Sequence, residues 1–275
     1  MSQMNQQLVV HLNVDRILFP YFNFLVIVSV GDYISPGLNL LVSKEVLKLD
    51  VRECIIIRKV NRFTVEVATK NEVLRAHLAN TGKLVDVIVP GRSALIAKTK
   101  SGKLKYRLIA VEDLYGKFCI IDTITQNNAF VSSVEAHLIP YLMGYHLVKR
   151  NIRMLSSIFD FYFKRNSESL IVETKSAVMR GPAGEAMYPD TVSIRGRRHI
   201  FDLIKLSLSG YKVMIVFIAA LYRPRCFKPS NEDPVITNLI RKAKDSGVEL
   251  RAISMYMECD GKVIIENPDL PVCII

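Results

Sequence analysis

Ser157-Ile-Phe-Asp-Phe-Tyr-Phe-Lys-Arg-Asn-Ser-Glu-Ser-Leu-Ile-Val-Glu-Thr-Lys-Ser176 places three ionisable side chains, Asp160, Glu173 and Lys175, inside strand-like sequence. Phe159 to Phe163 and Leu170 to Lys175 are aromatic and β-branched runs separated by the turn-forming Lys164 to Ser169, a pattern that predicts an antiparallel hairpin. A turn centred between Asn166 and Ser167 sets Asp160 across from Glu173. The two-residue strand period puts Glu173 and Lys175 on one face, with Val172 and Thr174 on the other. Cβ atoms of opposed residues lie about 4.5–5.5 Å apart, where two like charges repel. A hard cation such as Mg²⁺ or Mn²⁺, which takes carboxylate and phosphate oxygens, would offset that repulsion. Asp160 and Glu173 are then candidate metal ligands, and Lys175 a group that orients a water or balances charge on a phosphate. Without a cation the same residues form a solvated hairpin face with a Glu–Lys pair.

Outward from the hairpin, the chain towards its C-terminus alternates strand and helix. Asp190-Thr191 reads as the cap of a helix with apolar positions Ile200, Leu203, Ile204 and Leu208, ended by Gly210. Its other side carries Arg195, Arg197, Arg198 and His199. Lys212 to Ile218 is a continuous apolar run, the signature of a buried central strand. Pro234 opens a second helix that Gly247 closes, and Val248 to Tyr256 is a further strand. Strand, helix, strand, helix, strand requires parallel pairing within the sheet.

Towards the N-terminus, short strands with Gly-bearing turns run from Leu47 to Asp122, with Val85 to Arg92 counted among them. They predict a small Greek-key barrel of the oligonucleotide/oligosaccharide-binding (OB) kind. Arg58, Arg62, Arg75, His77, Lys83 and further Lys and Arg recur through it, with Phe63 and Tyr106 interleaved. That composition suits a groove that tracks a nucleic-acid backbone and stacks bases, and equally a generic solvated surface. Asn80-Thr81-Gly82 reads as a tight turn. Thr123 to Tyr145 is helical in part, interrupted by Pro140 and Gly144.

The whole chain has 275 residues and a formal net charge of +11, enough length for two cores and a charge that favours an acidic partner. Nucleic acid is the commonest such partner and an anionic membrane surface the next. Its five cysteines are scattered and form no Cys-x-x-Cys pair, so neither a zinc site nor a disulfide framework is indicated and a reducing cytoplasm fits. Ile17 to Val30 is the most apolar run, but Pro20 and Asn23 interrupt it and it is short for a membrane span, so no membrane association is expected. Met1 to Glu45 does not share the pattern that follows; the expectation is translated upstream sequence, with the real start near Val46.

Arg62-Phe63, His77-Leu78, Asn80-Thr81-Gly82, Pro90-Gly91, Asp122-Thr123, Asp160-Phe161, Val172-Glu173-Thr174-Lys175-Ser176, Pro189-Asp190 and Arg195-Gly196-Arg197-Arg198-His199 together resemble the sugar fermentation stimulation protein family. The resemblance runs in order from Leu47 to Tyr256. It implies an α/β plus all-β fold: an extension over 1–45, an OB-like barrel over 46–122, and over 123–275 a domain with a mixed sheet similar to the PD-(D/E)XK nucleases. It also implies DNA binding. Asp160, Glu173 and Lys175 match that nuclease motif's acid, acid and lysine. Arg58, Arg62, Phe63, Arg75, His77, Asn80, Lys83, Arg195, Arg197, Arg198 and His199 are then the expected nucleic-acid contacts. The chain departs from the family at Ile158, where Arg is usual, at Ile194, where Glu is usual, and at Gln126, where Pro is usual. The first two remove charge near the expected site, which would weaken a metal or its turnover. Three functions follow in order: a DNA-binding protein of nonspecific backbone contacts, a Mg²⁺-dependent DNA phosphodiesterase, and a non-enzymatic module on an anionic membrane or acidic partner.

Overall fold

The computed structural model describes residues 43–99 and 102–274. The upstream-sequence expectation for Met1 to Glu45 lies, over residues 1–42, outside the described residues. In chain order the N-terminal strands are β1 (Lys44–Lys48), β2 (Arg52–Asn61), β3 (Thr64–Ala68), β4 (Val73–His77), β5 (Ser93–Lys98), β6 (Tyr106–Glu112) and β7 (Phe118–Ile120). Helix α1 (Thr123–Glu135) follows, then β8 (His146–Met154), β9 (Ser157–Arg165), β10 (Glu168–Ser176), β11 (Met179–Arg180) and β12 (Ala186–Tyr188). The chain continues through α2 (Ile194–Leu208), β13 (Val213–Ala219), β14 (Phe227–Pro229), α3 (Pro234–Asp245), β15 (Glu249–Met257) and β16 (Lys262–Asn267).

Strands β4-β3-β2-β5-β6 are neighbours, and a parallel pairing of Ala76 with Tyr106 and His77 with Arg107 joins β4 to β6. The ring is therefore closed, a five-stranded barrel of the OB kind. Val65, Val67, Ala76, Leu95 and Leu108 fill it and are fully shielded from solvent. Closure removes the open sheet edges that would otherwise invite pairing with another chain. Val85 to Arg92, expected as a strand, is a turn and loop: Ile88 N donates to Leu84 O, a helical-turn bond, and Leu84 has φ +50°. Its apolar residues Val87 and Ile88 are buried, and it meets the ladder at its end, where Gly91 N donates to Ile56 O and Ile56 N donates to Arg92 O.

The sheet does not stop at the barrel. β7 pairs with β6 on one side and β15 on the other, and the order continues β15-β13-β10-β9-β8. β10, β13 and β15 are parallel, as expected, while β9 and β8 add antiparallel strands. All seven residues of β13 are buried, which accounts for its unbroken apolar sequence. β1 crosses to the far side and pairs with β16, so the expected boundary between residues 45 and 46 falls inside a strand. α2 begins at Ile194, capped by the Ser193 side chain accepting from Gly196 N; Asp190-Thr191 lies upstream of the cap. Ile200, Leu203 and Ile204 are buried as expected, but Leu208 is 72% exposed. In the last turn the buried apolar residue is Leu206, 4% exposed. The five cysteines are free, and no described helix is long and apolar enough to cross a membrane.

A candidate metal and phosphate cleft

The β9–β10 hairpin has the expected register: Glu168 pairs with Arg165 around Asn166-Ser167, and Val172 pairs with Phe161. Asn166 takes φ +51°, a conformation that asparagine tolerates better than most residues. Phe159, Phe161 and Phe163 are buried and alternate with the half-buried Asp160 and Tyr162. Alternation thus places Asp160 at the border of the core. Beyond Val172 the Asp160 carboxylate takes over a ladder position: Thr174 N donates to its Oδ2 at 2.8 Å and the Thr174 hydroxyl at 2.6 Å. That hydroxyl also lies 2.8 Å from Asn127 Oδ1, which ties the hairpin to α1.

Glu173 is 3% exposed and Lys175 8%, and their side chains form a direct ion pair. Glu173 Oε1 also meets His199 Nδ1 at 2.6 Å. Arg195 Nε donates to His199 Nε2 at 3.3 Å, so the ring proton sits on Nδ1 and points at Glu173. Glu173 Oε2 is buried and has no hydrogen-bond partner. Burial raises the Asp160 pKa above the usual carboxylate range, and the nearby Glu173 charge adds to the effect. Burial pushes Glu173 the same way, but Lys175 and His199 outweigh it and hold its carboxyl low. Lys175 is likewise opposed by burial, yet Glu173 and other neighbouring groups raise it, so its ammonium persists at neutral pH.

Asp160, Glu173 and Lys175 line one cleft of about 290 Å³ together with Asn80, Gln126, Asn127, Arg195 and His199. The barrel contributes Asn80, whose Oδ1 accepts from Gly82 N at 2.9 Å and whose Nδ2 donates to Ser176 Oγ at 3.3 Å. The tight turn predicted from Asn80-Thr81-Gly82 is therefore present and is also part of the wall. A Cβ at Gly82 would stand 2.2 Å from Asp190 Oδ2, so a larger residue there would have to displace the side chain that accepts from Leu84 N. Gln126, the departure from proline, donates to Ile120 O at 2.6 Å and to Ser176 Oγ at 2.9 Å, a bond across the barrel junction that proline lacks. Ile158 and Ile194 are exposed and do not line the cleft.

The expected nucleic-acid contacts divide. His199 is buried against Glu173 and so acts inside the cleft, while Arg195 and Arg198 are exposed on α2. Arg197 is committed to Asp233, which is fully buried and caps α3, at 2.9 Å. Arg58 and Arg75 both bind Glu66, at 2.7 and 3.0 Å, and keep most of their side chains in solvent. Lys83 lies 3.8 Å from Glu232. Arg62 covers one face of the exposed Phe63 ring, its guanidinium carbon 4.8 Å from the ring centre, and His77 stands on the barrel's closing seam. The sequence contained His199 but not its partner, because contact between residues 26 apart depends on how α2 packs against the sheet.

An OB barrel continuous with a mixed α/β sheet, with an acid, acid and lysine at the hairpin, defines an OB-barrel protein whose C-terminal part is α/β. The profile of the SfsA N-terminal OB domain matches residues 57–121, and that of the sugar fermentation stimulation protein RE domain residues 124–261. The chain belongs to the sugar fermentation stimulation protein family. A homologue of that protein from Pyrococcus furiosus is 44% identical over 213 residues, 77% of this chain and 91% of the relative. One from Archaeoglobus fulgidus is 38% identical over 224 residues, 81% and 95%. The solved structure of Pyrococcus furiosus SfsA in complex with Ca²⁺ superposes with a TM-score of 0.81 at 40% identity, covering 84% of this chain and 100% of that one.

Proposed function

We propose that this protein binds DNA nonspecifically through the phosphate backbone and that its cleft holds Mg²⁺ or Mn²⁺ for phosphodiester hydrolysis. The observation that carries the second half is the buried, unpartnered Glu173 Oε2 in the same cleft as Asp160. A buried carboxylate oxygen without a donor is costly, and a cation removes the cost. Among the described residues no three His, Cys, Asp or Glu side chains gather as a metal-binding group. Two carboxylates, with water and phosphate oxygens completing the shell, suit Mg²⁺ better than a full protein cage. The Ca²⁺ in the Pyrococcus furiosus relative supports a hard, oxygen-seeking cation here.

A bound cation supplies Lewis-acid polarisation of the phosphate and a more acidic water. Asp160 and Glu173 would hold it. Lys175 remains an ammonium, so it balances charge that develops on the phosphoryl oxygens instead of removing a proton. His199 fixes the direction of Glu173, and Arg195 fixes His199. DNA binding is supported by the +11 charge, by the exposed Arg195 in the cleft wall and by the exposed Arg198 on the same helix. Five free cysteines fit a reducing cytoplasm.

The test is nicking of supercoiled DNA by the full chain with Mn²⁺, with Asp160→Asn as the control. Cleavage that needs both the cation and Asp160 is expected. Binding without cleavage under every divalent cation would leave a DNA-binding protein on a nuclease-type fold and remove the hydrolytic half.

A further inference from the structure

We propose that the outer wall of the barrel is a base-binding subsite for single-stranded DNA, which feeds the strand to the Asp160–Glu173 cleft. A second cleft, of about 930 Å³, opens on that wall. It lies where β3, β4 and β6 meet: Thr64 pairs with His77, and His77 with Arg107. Ala76 and Leu108, the inward neighbours of His77 and Arg107, are fully buried, so the alternation turns His77 and Arg107 outward. Lys98 and Lys103 complete a cationic lining in which no described carboxylate takes part. Arg75 also lines it and remains paired with Glu66, and Arg107 lies 3.3 Å from Asp122, so Lys98 and Lys103 supply the charge for phosphate.

Phe63 at the rim is 46% exposed. An exposed phenyl ring on a cationic wall is poorly explained by phosphate contacts, which need no aromatic group. Arg62 lies over the ring, and the surface that Phe63 leaves in solvent is what a nucleobase would stack on. Bases in a duplex are already stacked on their neighbours, so only a strand with splayed bases can use Phe63. The ligand chemistry is therefore an unpaired base flanked by phosphates.

α1 separates this cleft from the first. Ile124 and Asn128 face the barrel cleft, while Thr123, Gln126 and Asn127 face the hairpin cleft. The two sites adjoin neighbouring faces of one helix, about 100° apart around its axis, and that helix is about 10 Å in diameter. A strand clamped on the barrel wall can thus pass over the first turns of α1 and present a phosphate to Asp160 and Glu173. This inference rests on the DNA-binding reading above and adds the strandedness of the substrate.

The test uses the full chain in EDTA, so that cleavage plays no part, and measures fluorescence anisotropy with three labelled oligomers of equal length. These are oligothymidylate, an abasic strand with the same phosphates, and a duplex. Stacking of one base is expected to make oligothymidylate bind about tenfold tighter than the abasic strand. Phe63→Leu should bring the two within about twofold while its melting temperature and its affinity for the abasic strand stay at wild-type values, because the ring is exposed and carries no phosphate contact. Equal wild-type affinity for oligothymidylate and the abasic strand would overturn the base subsite and leave backbone binding standing. So would tighter binding of the duplex than of either strand, or a Phe63→Leu protein that keeps the full preference. Failure to bind any of the three would overturn the DNA-binding reading and the subsite with it.

Discussion

Glu173→Gln and Asp160→Asn remove one negative charge each from the same cleft, and the structure predicts opposite effects on the stability of the metal-free protein. Glu173 is the counter-ion of the buried Lys175, and its Oε1 also receives His199 Nδ1. Glutamine keeps the shape but leaves a buried ammonium without its nearest partner. Breaking a buried pair from one side costs about 3–5 kcal/mol. Lys175 can shed its proton and soften the loss, so about 3 kcal/mol is expected, a fall in melting temperature of roughly 6–12 °C for a chain of this size. Asp160 has no such partner. Its carboxyl is raised by burial and by the Glu173 charge, and its bonds from Thr174 N and Oγ1 converge on a single oxygen that asparagine retains. Asp160→Asn should therefore leave the metal-free melting temperature unchanged or higher. The assay is thermal unfolding in EDTA and again in millimolar Mn²⁺. Wild type should gain about 2.7 kcal/mol when the cation is a hundredfold above its dissociation constant, and both variants should lose that gain. Two variants equally destabilised in EDTA, or a Glu173→Gln protein as stable as wild type, would refute the assignment of Glu173 as the charge partner of Lys175.

The Mn²⁺-induced rise in melting temperature should shrink on acidification, beginning above the usual carboxylate range, because a proton on the raised Asp160 carboxyl competes with the cation. In the metal-free protein the sign is reversed for this group: its contribution to stability is full below the unfolded pKa and is lost as pH rises through the folded one. A pH-independent Mn²⁺ response from pH 8 to pH 5 would show that Asp160 is not a ligand. On α2 the two neighbouring arginines should separate. Arg197→Ala strands the buried Asp233 and is expected to lower stability by about 2 kcal/mol. Arg198→Ala should leave stability within about 0.5 kcal/mol and reduce the slope of log affinity for DNA against log salt by about one. Unfolding curves and a salt titration of binding check both; the reverse assignment of effects would mean that Arg197 grips phosphate.

The sequence by itself determined the hairpin, its register and the central parallel strands. Alternation of Phe159, Phe161 and Phe163 with Asp160, around a two-residue Asn166-Ser167 turn, admits one register, because a slip of one residue would expose three phenylalanines. Val213 to Ala219 had to be central because a uniformly apolar strand needs cover on both faces. Only the tertiary structure decided what those residues touch. The turn at Asn80 becomes a wall of the cleft through Ser176, 96 residues away, and Arg197 becomes the partner of Asp233. His199 turns inward to Glu173, and β1 leaves the barrel for β16. Local periodicity records which face of an element is buried, a preference each residue carries along its own strand or helix. The identity of the facing partner is set by packing between elements distant in sequence, and local sequence holds no record of that choice.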